Sequence, residues 1–445
     1  MKRLSLLFLL ILALVLSLAV PCFADAGEMA TGPAVTASSA ILMDATTGMI
    51  LCGKDVDERM YPASLTKILT AIIAIETLDT DDLVIIDDEV VNTYTGWRDV
   101  KFSVGDTVTV EQAIYLLLME SNNAIAVALA KTVAGSVPAF AEIANARALE
   151  LQCTDTHFVN PNGLHDDAHY TTARDLATMT RYALSLPLFV KASGCTAYDF
   201  PKTKITAARS LTNTNWLLTG GHRLYVGNEL RDVLYDGVIA GKTGTTPEAG
   251  GCLMTAAKRD DTTLIAVVLE AGKSSDGYVS RFVDVIKYLD WGFDRYHTVK
   301  AMNRDALLGT ASVTRGSTLE VNVIAPTDQF VTLPLSQGAD SLTYQTELFG
   351  ALPAPVKAGE TAGTYRLYAD DTLIGEYPCV TANDVPEGGI LSRFGIPDAK
   401  AYRIFRTAGI VCAAVAAVAF LGLAYSLIAN GIPRNRSVFR KRSRF

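Results

Sequence analysis

Three short stretches carry side chains whose types and spacing can do chemistry. Ser64 and Lys67, within Tyr61-Pro-Ala-Ser-Leu-Thr-Lys67, are three apart. On a helix that spacing puts both on one face, about one turn apart, where an amine can take a hydroxyl proton. A serine hydroxyl is a poor nucleophile until a base removes its proton, and first-turn amides favour negative charge at that end. A capping serine followed by a solvated lysine would look the same, and Ser-x-x-Lys alone is common. Ser121 and Asn123 stand in Glu120-Ser-Asn-Asn123, between two apolar runs. Short polar side chains compete with the helix backbone for hydrogen bonds, so they favour a break where they can turn toward something else. A plain inter-helix turn is the alternative. Lys242 and Thr243 offer a cation and a hydroxyl to a carboxylate, between Gly241 and Gly244, which let a ligand backbone lie close. A strand end with a surface lysine is the plainer reading.

The elements around them must bring the three together. Pro62 precedes Ser64 as a candidate N-cap, and the run to Leu78 has no Gly or Pro, which predicts a helix starting near Ser64. Leu65, Ile68, Leu69, Ile72, Ile73 and Ile75 leave it almost no polar face, so it belongs in the core. Ala40–Asp44 and Met49–Cys52 predict a hairpin across Ala-Thr-Thr-Gly. After a mostly polar stretch, with Asn92–Trp97 suited to an exposed loop, Val110–Met119 and Ala124–Ala134 predict helices on either side of Ser121. Asn160-Pro-Asn-Gly163 is a turn cluster, and Thr171–Asp175 a capped start for a helix to Leu184. From Val238 the pattern is strands, 238–244, 252–257 and 263–269, closed by an amphipathic helix, Val279–Phe293. Hairpin, helices and then strands predict an α+β domain over 33–296 with one antiparallel sheet.

Beyond it, alternating Leu319, Val321, Val323 and Tyr365, Leu367, punctuated by Gly, Pro and Asp, predict a small all-β sandwich domain at 301–385, with a linker at 388–405. Residues 408–429 carry no charge and are long enough to cross a bilayer as one transmembrane helix. The tail 430–445 is basic, with Arg434, Arg436, Arg440, Lys441, Arg442 and Arg444, which places it in the cytoplasm and the rest outside. Residues 1–26 pair Lys2 and Arg3 with an apolar run and a small-residue end, the pattern of a secretory signal peptide; a retained anchor is the alternative. The formal net charge is −8 and becomes more negative without the basic ends, which excludes nucleic acid as a partner. Between the two ends the cysteines are odd in number, and their spacing shows neither a disulfide framework nor a zinc motif. No metal or cofactor is expected.

Ser64-x-x-Lys67, Ser121-x-Asn123 and Lys242-Thr-Gly244, in that order and setting, form a specific combination. Here the chain resembles the penicillin-binding proteins and serine β-lactamases, most closely the low-molecular-mass D-alanyl-D-alanine carboxypeptidases, over about 33–293. The β domain and C-terminal attachment are similar to the rest of that family. Two departures stand out: Thr245 replaces a histidine of some relatives, and 412–429 looks like a true span where many relatives have an amphipathic helix. The resemblance implies that Ser64 attacks the carbonyl between the terminal D-alanines of a peptidoglycan stem peptide, forms an acyl-enzyme, and is acylated by β-lactams. Lys67 would be the base, made neutral part of the time by burial and by Lys242. Ser121 would pass a proton to the leaving D-alanine, and Asn123 would hold the peptide amide. Lys242 and Thr243 would bind the terminal carboxylate, and the amides of Ser64 and Thr245 would form an oxyanion hole. Arg281, in Ser280-Arg-Phe282, falls where the family has an arginine for the carboxylate. The same residues could instead serve a β-lactamase, although no Glu-x-x-Leu-Asn loop is apparent, or a transpeptidase or endopeptidase. A catalytically silent wall-binding protein is the reading from another class, and three intact motifs argue against it.

Overall fold

The computed structural model describes residues 30–93, 102–272 and 279–430. The signal segment 1–26, most of the loop expected at Asn92–Trp97, and the basic tail from 431 lie outside the described residues. The chain divides into two compact units, 30–301 with 330–342, and 302–329 with 343–430.

The first unit is built on a five-stranded sheet. Its strands are β1 (Ser39–Asp44), β2 (Ile50–Lys54), β3 (Val238–Thr246), β4 (Gly250–Arg259) and β5 (Thr262–Ala271), in the spatial order β2-β1-β5-β4-β3. All four pairings are antiparallel. Successive side chains point to opposite faces, and here both faces are covered. Ile41, Met43, Met254, Ile265 and Val267 enter one buried cluster, and Leu42, Leu253, Leu264, Ala266 and Val268 enter the other. That double burial explains why Leu264–Leu269 reads as a continuous apolar run rather than an alternating one.

The first cluster holds the helices α1 (Lys67–Thr77), α2 (Val110–Met119), α3 (Asn123–Ala134), α4 (Ala173–Ala183) and α5 (Pro187–Ser193). The second is closed by α6 (Ser280–Phe293), through Phe282, Val285, Ile286 and Leu289. Three of these six helices, α2, α3 and α4, start with a side-chain cap. Thr109 and Gln112 make a capping box for α2, and Thr172 Oγ1 accepts from Asp175 N–H for α4. One expectation is corrected. Ser64 is not the N-cap of α1; it lies inside a single 3₁₀ turn, Ala63–Thr66, where no side chain caps the helix. The tighter turn leaves its hydroxyl to be used by another group.

In the second unit, strands 307–314, 320–324, 342–348, 352–353, 361–369 and 372–381 form a six-stranded sheet. Val321, Val323, Ala362, Tyr365 and Leu367 are buried on it. Residues 330–342, which fall within the same β-rich stretch of sequence, pack with the first unit instead: Thr332 Oγ1 donates to the buried Asp44 Oδ2 at 3.0 Å. The stretch read as a linker is a 3₁₀ turn, Ile390–Phe394, followed by the opening of a long helix, α7 (Asp398–Asn430). No Gly or Pro falls between Lys400 and Thr407, so nothing stops the helix before the apolar run. The architecture is therefore α+β: an antiparallel sheet with a helical subdomain, a β domain, and one C-terminal apolar helix.

Candidate active site

The turn 63–66, the α2–α3 junction and the edge strand β3 converge. Lys67, the first residue of α1, is fully buried and spends its ammonium donors on three oxygens: Ser64 Oγ at 2.9 Å, Asn123 Oδ1 at 2.7 Å and the Asn162 carbonyl at 2.6 Å. Burying a cation is costly unless hydrogen bonds replace its water, and this set does so. The distance to Ser64 is within range for direct proton transfer.

Ser121 breaks α2 from α3 in a left-handed conformation, φ 63°. Asn122 follows as the buried N-cap of α3, accepting from Ile125 N–H at 3.0 Å. Non-glycine residues adopt this backbone at a cost of about 1–2 kcal/mol, and such strain clusters at functional sites. Here it turns the Ser121 hydroxyl toward β3, where Lys242 Nζ donates to Ser121 Oγ at 2.8 Å and to the Thr243 carbonyl at 2.7 Å. Lys242 is also fully buried. Burial above all, then the cations Lys67 and Arg281, holds its ammonium well below the ordinary lysine range. The site thus contains two amine–hydroxyl pairs, Lys67 with Ser64 and Lys242 with Ser121.

The edge position of β3 leaves its outer side open to this cluster. Gly244 lets it come close: a Cβ there would stand 2.9 Å from the Pro62 carbonyl and 3.1 Å from Ser64 N. Thr243 is buried, and its hydroxyl shares a 2.7 Å hydrogen bond with Thr214. Arg281, from the first turn of α6, donates to Thr245 Oγ1 at 2.7 Å and to the Gly244 carbonyl at 3.0 Å. So Ser64, Lys67 and Asn123 are joined through one amine, Ser121 and Thr243 through the other, and Arg281 and Thr245 form the rim of the same strand. Among the described residues, no group of three or more His, Cys, Asp or Glu side chains is placed to hold a metal ion.

Sequence reasoning missed several residues. The Asn160–Gly163 turn was visible as a turn, but not that its Asn162 carbonyl meets Lys67 or that Pro161 O accepts from Thr70 Oγ1 at 2.7 Å. Thr214 was seen only inside a polar stretch. Thr66 and His169 lie behind the Ser64 turn, with Thr66 Oγ1 2.8 Å from His169 Nε2. No local spacing signals these contacts, because the partners are far apart in the chain.

The chain matches two family models. Residues 26–273 match that of the D-alanyl-D-alanine carboxypeptidase peptidases, and residues 296–387 match the C-terminal domain of penicillin-binding protein 5. The D-alanyl-D-alanine carboxypeptidase DacF of Bacillus subtilis is 29% identical over 88% of this chain and 97% of its own. DacC of Escherichia coli is 31% identical over 83% of this chain and 89% of its own. The crystal structure of penicillin-binding protein 5 from Haemophilus influenzae superposes with a TM-score of 0.69 at 28% identity, covering 80% of this chain and all of that one. With the family match spanning more than half of its length and both units accounted for, the chain belongs to the D-alanyl-D-alanine carboxypeptidases, a family of serine peptidases.

Proposed function

We propose that Ser64 is the nucleophile of a carboxypeptidase that removes the terminal D-alanine from peptidoglycan stem peptides, and that penicillins acylate the same residue. The observation that carries this is the 2.9 Å contact between Ser64 Oγ and the fully buried Lys67 Nζ. In the reacting state Lys67 takes the Ser64 proton as the Oγ–carbonyl bond forms. The peptide C–N bond then breaks, and the departing D-alanine nitrogen receives a proton through Ser121, whose oxygen faces Lys242. Water completes the cycle by cleaving the ester. Asn123 does two things: its Oδ1 orients Lys67, and its amide nitrogen is the donor for a peptide carbonyl. Thr243 and Arg281 receive the terminal carboxylate beside Lys242, and the Ser64 and Thr245 amides stabilise the oxyanion. A β-lactam offers a strained amide and a carboxylate in a similar arrangement, so the same groups accept it.

The helix α7 is the membrane anchor in this reading, with the catalytic unit on the extracytoplasmic side and export directed by the N-terminal segment. Incubation with a pentapeptide ending in D-Ala-D-Ala should release free D-alanine, and mass spectrometry after penicillin should find one adduct, on Ser64. Ser64→Ala should abolish both, and Lys67→Ala should slow acylation about 10²-fold or more. An adduct on another residue, or labelling unaffected by Ser64→Ala, would sink the assignment.

A further inference from the structure

Behind the Ser64 turn runs a chain of hydrogen bonds that touches neither proposed substrate nor reacting atoms. It starts at Val159, whose N–H donates to His169 Nδ1 at 3.1 Å. That contact fixes the tautomer: Nδ1 is the acceptor, so Nε2 carries the proton and donates to Thr66 Oγ1 at 2.8 Å. Thr66, with one acceptor site filled, donates its own proton to the Ala63 carbonyl at 2.8 Å. Ala63 immediately precedes Ser64 and is held in the left-handed region, φ 47°. The imidazole is buried and stacks on Phe158 with ring centroids 4.7 Å apart. Each link is directional, and the chain ends on the one strained peptide that aims the serine.

We propose that His169 is a positioning residue for acyl transfer: through Thr66 it holds the Ala63–Ser64 peptide in its left-handed turn, and so sets where the Ser64 hydroxyl and amide stand. The inference rests on Ser64 being the nucleophile. It explains two features that packing alone does not. A buried histidine is bonded at both nitrogens, and the sequence spends Thr66 in the 3₁₀ turn and Thr70 on the otherwise apolar α1. Thr70 donates to Pro161 O, so both threonines tie the 157–171 segment to the nucleophile's helix.

The test compares His169→Leu, His169→Gln and Thr66→Val in the full chain, reading the second-order rate of acylation by a fluorescent penicillin together with kcat and KM for D-alanine release. Loss of either link should slow acylation about 10- to 100-fold, the range for a small displacement of a reacting group, and should lower kcat with little change in KM. Glutamine keeps one acceptor and one donor and should restore most of the rate. The His169→Leu and Thr66→Val effects should not multiply in the double variant, because both break one chain. A structural role only would lower the melting temperature while the folded, labelled fraction acylates at the normal rate, and that result overturns the proposal. So would multiplying effects. If His169→Leu does not fold, the isosteric Thr66→Val and the His169→Gln rescue still decide it. A wild-type chain without a Ser64 adduct would instead overturn the nucleophile assignment, which separates the two failures.

Discussion

Two fully buried lysines in one site set its electrostatics at the residue scale. Lys67 donates to three protein oxygens and Lys242 to two, and the charge on one raises the cost of charge on the other. Burial above all, then the cations Lys67 and Arg281, holds the Lys242 pKa well below the ordinary value. Arg281 is thus a cation on the site and, in the proposed function, also the contact for the substrate carboxylate. Arg281→Ala should lower carboxypeptidase turnover about 10-fold or more and slow penicillin acylation less, because the free carboxylate of the peptide loses its orienting partner. Turnover left unchanged would remove Arg281 from the site. His169 gives a second test. Burial above all, with Lys67, His157 and His165 nearby and Asp166 opposing them, pushes its pKa down from 6.5 to about 3. The unfolded chain then binds a proton that the folded chain refuses, so this contribution to stability is present above pH 6.5 and is lost as pH falls toward 3. Urea unfolding between pH 6 and 4 should show a slope shallower in His169→Gln by about 1.4 kcal/mol per pH unit. Equal slopes would mean that the imidazole is not held neutral.

At the scale of elements, the site depends on a loop leaning on a helix. Gly163 has φ +80°, and a Cβ there would stand 1.8 Å from the Ala63 carbonyl, a backbone atom that cannot swing away. Gly135 has nearly the same backbone, φ +78°, with nothing within 4 Å of its Cβ position. Gly135→Ala should therefore cost only the conformational penalty, about 1–2 kcal/mol, and leave acylation alone. Gly163→Ala should cost more and should also slow acylation of the folded protein, since the displaced atom adjoins Ser64. Equal acylation rates in the two variants would show that the Asn160–Gly163 turn does not set the nucleophile. The contrast also explains what was legible in the sequence. Helices, strands and the three motifs carry local periodicity or spacing, so β3, α1, α3 and the motif residues Ser64, Lys67, Ser121, Asn123, Lys242 and Thr243 stand out as candidates in the sequence. Thr245 and Arg281, by contrast, follow only from the family resemblance. The 3₁₀ turn at Ser64 could not, because a capping serine and a nucleophile share one local pattern until Lys67 claims the hydroxyl. Thr66 with His169, Lys67 with Asn162 and Asp44 with Thr332 are pairings across long stretches of chain, which no window of sequence displays.

At the scale of the whole molecule, α7 asks what covers it. Its 33 residues are exposed at almost every position from Tyr402 to Ala429, including Phe405, Ile410, Val418, Phe420 and Leu427. An apolar surface of that extent is not left in water. At about 1.5 Å per residue, the uncharged stretch 408–429 reaches roughly 33 Å, enough for a hydrocarbon core of about 30 Å. Tyr402, Arg403, Phe405 and Arg406 sit just before it, the aromatic and basic types found where a helix meets the headgroups. If α7 spans the bilayer, its attachment does not rely on charge, so salt should not release it. The full chain should remain with membranes through a high-salt wash and be extracted only by detergent. A chain ending before Ala408 should be soluble and should release D-alanine with the same kcat, because Ser64, Lys67, Ser121 and Lys242 all lie in the unit formed by 30–301 and 330–342. If the shortened chain still sediments with membranes, a second surface holds the protein there, and α7 is not its sole anchor.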